Sequence, residues 1–316
     1  MNEFYPSIML EYSSRCNLRC KYCTKSADGD DAIPGRNQDM TEANVEKFLE
    51  FLSSNPVSEL LLAGTGETTV AAQWTKDIPL LVNAAKRLNH HALVHLNSNF
   101  AKRFTANEFS VLQKLDQINI SIDTDDYGLT KAIRAKSSLS DIIFNIIKLK
   151  SYCLSRNLNC PAITIVAVVT AETFRMLPSL IYTLSLIPID EIVLCDLMET
   201  QATMENLILG LDNVDEIGST INQLDESVRY LRETSSVKFN LQPEFRQRLT
   251  DTIYRHQGAS PRLDLPSSAT TKICTQPWTR FTVGADYQIF PCCVTDMQSV
   301  GVFNPDQDAF TNFNNA

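Results

Sequence analysis

Three cysteines lie close together near the start of the chain, at Cys16, Cys20 and Cys23. Thiolates are soft ligands that suit iron–sulfur clusters, and three of them on a cube of four irons leave one iron open to a small molecule. A zinc site needs a fourth cysteine or histidine, and none follows within the loop. The spacing therefore predicts a redox-active [4Fe–4S] cluster. A non-catalytic iron–sulfur electron carrier and a zinc-binding interaction module are the alternatives.

The secondary structure that positions these cysteines is predicted from an alternation of brief β-rich runs and helical patterns along the sequence. The alternation predicts parallel strands, because each crossover helix returns the chain to the same edge of the sheet. The fold class is therefore α/β, and periodicity leaves a doubly wound sheet and a full or partial barrel open. The strands are predicted at residues 7–12, 59–63, 92–97, 117–123, 162–169 and 191–197, with helices at 41–52, 78–88, 106–115, 139–155, 174–186 and 214–232. Beyond residue 238 the alternation stops, and residues 278–290 predict a β-hairpin.

The composition excludes several classes of partner. The 316 residues carry a net charge of −9, and an acidic surface repels phosphate backbones, so we expect no nucleic-acid partner. No apolar run has the length to cross a bilayer, and the first residues lack the basic and apolar parts of a secretory signal. We therefore expect no membrane association and a cytoplasmic location.

The CxxxCxxC spacing, with Tyr22 before its last cysteine, resembles the signature of the radical S-adenosylmethionine (SAM) superfamily. The resemblance implies a partial (β/α)6 TIM-like barrel over residues 1–235 and a connector over residues 236–272. It also implies a small C-terminal β-hairpin iron–sulfur appendage over residues 273–316, similar to a SPASM or twitch domain. The implied cofactors are SAM and the [4Fe–4S] cluster, and the implied electron donor is of the flavodoxin or ferredoxin type.

The same resemblance assigns SAM contacts after the second and third predicted strands. The segment with Gly64, Gly66 and Glu67 looks like the glycine-rich motif that binds the SAM amino group in the family, and a tight turn is the alternative. Asn97 opens an Asn-Ser-Asn segment that resembles a mouth-facing loop of the family.

Further SAM contacts are assigned after the fourth predicted strand. Ser121 and Asp123 look like the SxD motif that contacts the SAM ribose. Arg134 stands where relatives have an arginine that pairs with the SAM carboxylate, and a solvated helix face is the alternative. By the same resemblance, Tyr22 is expected to lie beside the adenine.

The late cysteines resemble the first half of a SPASM or twitch domain, which holds a second, auxiliary iron–sulfur cluster with cysteines at the positions of Cys274 and Cys292, and Cys293 is a further candidate ligand. Buried thiols at a hairpin base are the alternative. The family usually has a glycine where Tyr287 stands, so we expect a different turn. Relatives supply further ligands beyond the position of Ala316. Three explanations stay open: a chain shorter than the natural protein, an auxiliary site built on these three cysteines, or loss of the second cluster.

The family's reaction is cleavage of SAM to a 5′-deoxyadenosyl radical that abstracts hydrogen from an unactivated carbon. Enzymes with such appendages modify a peptide side chain or a small natural-product substrate by oxidation, crosslinking or epimerisation. The candidate catalytic side chains at the mouth are Asp123, Cys195 and Glu199, and Glu11, Asn99 and Asp196 are further candidates there. Solvation at the strand end is the alternative for Asp196 and Glu199. A thiol at Cys195 can return a hydrogen atom to a substrate radical, as epimerisation requires, and a core thiol is the alternative.

Overall fold

The computed structural model of the chain describes residues 5–23, 37–196, 214–241, 280–290, 299, 301–308 and 311–312. Its strands are β1 (Ser7–Leu10), β2 (Arg19–Cys20), β3 (Glu59–Leu62), β4 (Leu93–Ser98), β5 (Gln117–Ser121), β6 (Arg134–Ala135), β7 (Ala162–Val169), β8 (Glu191–Asp196), β9 (Lys238–Leu241), β10 (Arg280–Val283), β11 (Gln288–Phe290) and β12 (Gly301–Val302).

Ten of these strands form one sheet in the order β12-β11-β10-β1-β3-β4-β5-β7-β8-β9. Every neighbouring pair from β10 to β9 is parallel. The pairs β10–β11 and β11–β12 are antiparallel. The order has two ends, so the described strands do not close into a complete barrel. The predicted α/β class with a partial barrel is confirmed.

The helices are α1 (Glu42–Ser54), α2 (Trp74–Leu88), α3 (Ala106–Leu112), α4 (Tyr127–Ile133), α5 (Leu139–Ser155), α6 (Ala171–Phe174), α7 (Leu177–Ser185) and α8 (Val214–Thr234). Helix α5 has both predicted ends, and it begins after Ser138, whose side chain accepts a hydrogen bond from the backbone amide of Asp141. Thr41 caps α1 in the same way through the amide of Asn44. In the described part of the chain, no helix combines the length and the apolar character needed to span a membrane.

The two faces of the sheet carry different side chains. Ile118, Ile165 and Leu194 are fully buried and belong to the main hydrophobic core, which lies between the sheet and the helices. Residues of the opposite parity, such as Asn119 and Glu191, lie on the other side of the sheet. We call that side the inner face. Most of the candidate site residues lie on it or on the loops that follow the strands.

The parallel sheet extends one strand beyond the predicted alternation. The connector predicted for residues 236–272 begins with β9, which pairs in parallel with β8. The prediction that the alternation stops at this point is therefore wrong by one strand. The reason is local: Lys238 and Asn240 are exposed, and Phe239 and Leu241 are only half-buried, so this edge strand has a weak apolar pattern.

The predicted C-terminal hairpin is present as β10 and β11, and it is joined to the barrel edge. Strand β10 pairs in parallel with β1, with Ser7 opposite Arg280. The Arg280 guanidinium donates to the Ser7 hydroxyl (2.9 Å) and also contacts the carboxylate of Glu59. His95 Nδ1 lies 3.5 Å from the other oxygen of Glu59. This polar group ties four neighbouring strands together near their amino-terminal ends.

Tyr287 occupies the turn position at which the family usually has glycine. Its φ of 66° is the left-handed backbone that glycine favours, so the expected change of turn is not needed to accommodate the tyrosine. The side chain is buried, its hydroxyl donates to the carbonyl of Asn44 (2.6 Å), and its ring meets Phe303 edge-on. These contacts offset the cost of the left-handed backbone.

Candidate active site

The cysteine loop follows β1 and is held by a neighbouring segment of the chain. The amide of Ser14 donates to the carbonyl of Gln38 (2.9 Å), and the amide of Met40 donates to the carbonyl of Tyr12 (2.8 Å). Asp39 accepts from the Arg15 guanidinium through both carboxylate oxygens, at 2.9 and 2.5 Å. The backbone that leads into Cys16 is therefore anchored on one side.

The second half of the loop is held by the segment that contains Arg134. Strands β2 and β6 form an antiparallel pair in which Cys20 lies opposite Arg134. The amide of Lys21 donates to the carbonyl of Ile133 (2.7 Å), and the amide of Cys23 donates to the carbonyl of Cys20 (3.1 Å). Two thiols of the triplet are thus positioned by a distant part of the sequence.

The three thiols share one electrostatic environment. All three are half-buried and free of disulfides. The pKa of the Cys20 thiol is raised to about 11, because burial and the neighbouring Cys23 and Cys16 outweigh the lowering effect of the Arg134 guanidinium. Asn99 Nδ2 lies 3.8 Å from the Cys16 sulfur, and Arg134 Nη1 lies 4.0 Å from the Cys20 sulfur.

This donor set suits a cluster of several irons. In the ranges the structure covers, no three cysteine, histidine or carboxylate side chains converge to hold a single metal ion. The thiolates of an iron–sulfur cube each bind a different iron, so their sulfur atoms do not have to converge on one point. Three soft donors on one half-buried loop, flanked by the Arg134 cation, therefore fit the predicted [4Fe–4S] group at Cys16, Cys20 and Cys23.

Asp123 is the centre of a buried polar group beside the thiols. Its carboxylate accepts from Arg134 Nε (2.6 Å) and Nη2 (3.1 Å), from the Tyr22 hydroxyl and from the backbone amide of Val168 (2.9 Å). The Arg134 guanidinium lies 5.5 Å from the Tyr22 ring centroid. Burial and the Asp123 carboxylate raise the pKa of Tyr22 well above its ordinary value, although Arg134 opposes the shift. Arg134 is only 8% exposed, so its alternative as a solvated helix face is wrong.

The glycine-rich segment packs directly under the approach to the cysteine loop. A Cβ atom on Gly66 would lie 2.3 Å from the Ser13 carbonyl oxygen and 2.5 Å from that of Arg15. A Cβ on Gly64 would lie 2.4 Å from Glu11 Cγ. Glu11 in turn accepts from the Thr65 amide (2.6 Å) and hydroxyl (2.7 Å). Both glycines are needed for close approach.

Glu67 joins the glycine-rich segment to the loop after β4. It is 2% exposed, and its carboxylate accepts from the Thr69 amide (3.1 Å) and hydroxyl (2.7 Å), the Ser98 hydroxyl (3.0 Å) and the Asn99 amide (2.7 Å). Asn99 also donates to Asn17 Oδ1 (2.8 Å), so the hydrogen bonds that start at Glu67 extend to the cysteine loop. The bonding roles of Thr69 and Asn17 were missed from the sequence, because Thr69 belongs to no motif and Asn17 stands at a variable position of the cysteine motif.

Cys195 lies on the inner face of β8, the same face as Glu191. Leu194 lies on the other face and belongs to the main core. The thiol is buried and donates to the carbonyl of Ala167 (3.4 Å). Its register neighbour on β7 is Val168, whose amide binds Asp123. Cys195 is therefore one strand spacing, about 4.8 Å, from a residue of the Asp123 group.

The remaining predicted site residues divide into two groups. Ser121 is half-buried at the end of β5, two residues before Asp123, and the exposed Asn97 lies lower on the inner face, where it accepts from Asn119 Nδ2 (2.7 Å). Asn97 is thus separated from the thiol group, while its neighbour Asn99 reaches it. Four residues lie outside the described ranges: Glu199, Cys274, Cys292 and Cys293.

Comparisons with known proteins bear on the family and on the fold. The family model described as the radical SAM superfamily matches residues 10–178, more than half of the 316 residues. Among curated proteins, GTP 3',8-cyclase of Mycobacterium ulcerans (strain Agy99) is 28% identical over 139 residues, which cover 43% of this chain and 36% of the cyclase.

Two solved structures share the fold over nearly the whole chain. SuiB of Streptococcus suis bound to S-adenosylmethionine has a TM-score of 0.62 at 16% identity, over 94% of this chain and 63% of that one. The anSMEcpe structure with bound AdoMet has a TM-score of 0.64 at 16% identity, over 97% and 80%. The chain thus spans less than two thirds of SuiB. The family match, together with the thiol triplet and the Asp123 group beside it, establishes that this chain belongs to the radical SAM superfamily.

Proposed function

We propose that this protein binds SAM at a [4Fe–4S] cluster on Cys16, Cys20 and Cys23 and abstracts hydrogen from a peptide side chain or a small natural product. The observation that carries the proposal is a juxtaposition. The cysteine loop is paired with the segment of Arg134, and Arg134 binds Asp123, so thiols and SAM-binding candidates form one continuous group. The group lies at the carboxyl ends of parallel strands, where α/β barrels carry their active sites.

When bound, the cluster supplies the electron that cleaves SAM to the 5′-deoxyadenosyl radical. The protein's own residues orient and shield that reaction. Asp123 and Arg134 present a carboxylate and a guanidinium within one buried group, suited to the ribose hydroxyls and the methionine carboxylate of SAM. The two bonds to Asp123 use Nε and Nη2 of Arg134, so Nη1 keeps donor capacity for the methionine carboxylate of SAM.

The glycine-rich segment contributes the backbone at its two glycines and the side chain of Glu67 to the proposed SAM site. Gly66 keeps that backbone against the residues that lead into the cysteine loop, Gly64 packs against the Glu11 side chain, and Glu67 fixes the far end of the segment. Oε2 of Glu67 accepts from Asn99 alone among the described donors, so this oxygen has capacity for the SAM ammonium. Ser121 and the Tyr22 ring complete the proposed ribose and adenine contacts.

Cys195 is proposed as the hydrogen donor to the substrate radical. The S–H bond breaks as the C–H bond forms, and one electron from the proposed flavodoxin- or ferredoxin-type donor, with one proton, returns the resulting thiyl radical to the thiol. The position of Cys195 on the inner face, next to the strand that contacts Asp123, supports this role over that of a core thiol. In D2O the thiol exchanges its hydrogen, so an epimerised product is expected to gain one deuterium. Cys195→Ala should remove that label, while Cys153→Ala, which alters a thiol of the main core, should retain it. Glu199 remains a proposed mouth residue.

The peptide alternative for the substrate has support from the structural neighbours. SuiB is known bound to the precursor peptide SuiA, and anSMEcpe bound to AdoMet and the Cp18Cys peptide. The GTP 3',8-cyclase points to a small molecule, but its match covers only 43% of this chain and 36% of the cyclase. We therefore favour a peptide. An auxiliary cluster on Cys274, Cys292 and Cys293, and an electron donor of the flavodoxin or ferredoxin type, complete the proposal.

The test is SAM cleavage by the anaerobically reconstituted, dithionite-reduced protein. We expect formation of 5′-deoxyadenosine and methionine. Intact SAM in the presence of a reducible cluster would favour an electron carrier instead. A colourless protein that contains zinc in place of iron and sulfide would favour an interaction module.

A further inference from the structure

The inner face carries a band of hydrogen-bonded polar side chains below the proposed radical site. The band crosses the adjacent strands β4, β5, β7, β8 and β9. We call it the amide row, and its members are Asn97, Asn119, Gln117, Thr164, Glu191 and Asn240. Asn97 was expected from the sequence to lie on a loop that faces the mouth. The other members of the row have no part in the proposed SAM site.

The β4 end of the amide row is made of carboxamides. Gln117 Nε2 donates to Asn119 Oδ1 (2.7 Å) and to the Thr164 hydroxyl (3.2 Å). Asn119 Nδ2 donates to Asn97 Oδ1 (2.7 Å). Within the described residues this leaves the amide nitrogen of Asn97 and the amide oxygen of Gln117 available to a ligand. A carboxamide edge with both a donor and an acceptor matches the peptide main chain.

The β9 end of the amide row carries one carboxylate. Glu191 accepts from the Thr164 hydroxyl (3.2 Å) and from Asn240 Nδ2, both of which are neutral donors. In the part of the chain that the structure describes, no lysine or arginine forms an ion pair with Glu191, although the exposed Lys238 is its register neighbour. A half-buried carboxylate with neutral partners has capacity for a cationic group.

The amide row is open and long enough for an extended chain. Asn97 and Asn240 at its two ends are exposed, and Gln117, Asn119 and Glu191 are half-buried. Four strand spacings amount to about 19 Å, the length of about six extended residues. Glu191 also precedes Cys195 by four residues on the same face, or about 13 Å along β8. A segment anchored at Glu191 can therefore reach the level of Cys195.

We propose that the amide row is the substrate-binding surface and that it takes an extended peptide segment with a lysine or arginine side chain at Glu191. This inference rests on the proposed function and names its substrate class. A phosphate-bearing ligand is disfavoured by charge. Arg134 already binds Asp123, and Arg280 already binds Glu59. Among the described residues, Lys238 is the cation on the inner face that has no carboxylate bound to it and could bind a phosphate.

The test is calorimetric titration of the anaerobic, cluster-loaded protein with SAM present. The probes are acetylated, amidated hexapeptides of alanine and serine that contain either one lysine or one glutamate, and free glucosamine as a small amine. We expect the lysine peptide to bind at least tenfold more tightly than the glutamate peptide and than glucosamine. Glu191→Gln should weaken the lysine peptide by roughly tenfold or more, the usual effect of losing a charge-assisted bond.

The matched control is Glu226→Gln, which removes the same charge from an exposed position on α8 and should leave binding unchanged. The inference is overturned if the lysine peptide fails to bind at millimolar concentration, if the two peptides bind equally, if glucosamine binds more tightly, or if Glu191→Gln matches the unaltered protein. SAM cleavage without peptide is measured on the same samples. If the protein cleaves SAM but does not discriminate between the peptides, only the proposal for the amide row is contradicted. If it does not cleave SAM, the proposed function is contradicted.

Discussion

Gly66→Ala tests how tightly the glycine-rich segment positions the cysteine loop. The added Cβ would lie 2.3 Å from the carbonyl oxygen of Ser13 and 2.5 Å from that of Arg15. An ordinary contact is about 3.5 Å, so this backbone must shift by about 1 Å. Cys16 follows Arg15 directly, whereas Cys20 is held separately through its pairing with Arg134. The shift therefore changes the spacing of the thiols themselves.

The expected consequence is loss of the cluster without loss of the fold. Metal–ligand distances tolerate about 0.2 Å, and a misplacement of about 1 Å costs about a hundredfold in rate. Overpacking costs about 1–3 kcal/mol, less than the usual 5–15 kcal/mol of stability. We expect Gly66→Ala to unfold cooperatively, to bind less iron and sulfide, and to form 5′-deoxyadenosine about a hundredfold more slowly.

The assay compares iron, sulfide and 5′-deoxyadenosine for Gly66→Ala and a matched control. Gly128→Ala serves as the control, because its Cβ would meet Asp126 Oδ1 at 3.3 Å, a contact that a small side-chain adjustment relieves. The control should behave as the unaltered protein does. Gly66→Ala with full iron content and an unchanged rate would refute the steric argument.

Three further predictions follow from single contacts. Arg134→Lys keeps the charge but cannot make both bonds to Asp123, so we expect the SAM Kd to rise about tenfold in equilibrium dialysis, and an unchanged Kd would count against the assigned site. Tyr287→Phe removes the hydrogen bond that the Tyr287 hydroxyl donates to the Asn44 carbonyl and should lower the free energy of unfolding by about 1 kcal/mol in urea, whereas an unchanged or higher free energy of unfolding would contradict it. Burial, together with Arg280, lowers the pKa of His95 below 6.5, although the carboxylates of Glu59 and Asp116 oppose the shift. The folded state therefore binds a proton at His95 less readily than the unfolded state does. Stability should therefore fall as the pH drops below about 6.5, by at most about 1.4 kcal/mol per pH unit, and urea unfolding of His95→Gln should lack this component.

The order of elements was largely predictable because it depends on local patterns. Helix α5 has the predicted bounds, since its apolar spacing is regular and Ser138 caps its start. Strand β9 was missed because its residues are half-buried or exposed at a sheet edge. The pairing of β10 with β1 joins residues far apart in the sequence, and no periodicity carries that information.

The site was predictable at its motifs but not at its connections. The cysteine spacing and the SxD motif singled out Cys20 and Asp123 as candidates, whereas the bidentate bond from Arg134 to Asp123 depends on tertiary contacts. The face of Cys195 could not be predicted, because β8 is apolar at both parities, and the register with Val168 decides it. The glycines at 64 and 66 predicted a turn, but the sequence does not reveal that the backbone carbonyls of Ser13 and Arg15 lie against Gly66.

The central claim is that the early thiols hold the cluster that cleaves SAM. The most direct measurement is 5′-deoxyadenosine formation by reduced, reconstituted protein in which Cys20→Ser is compared with Cys160→Ser, a half-buried thiol elsewhere in the fold. The account predicts no product above background from Cys20→Ser and an undiminished rate from Cys160→Ser. Equal rates from the two variants would contradict it.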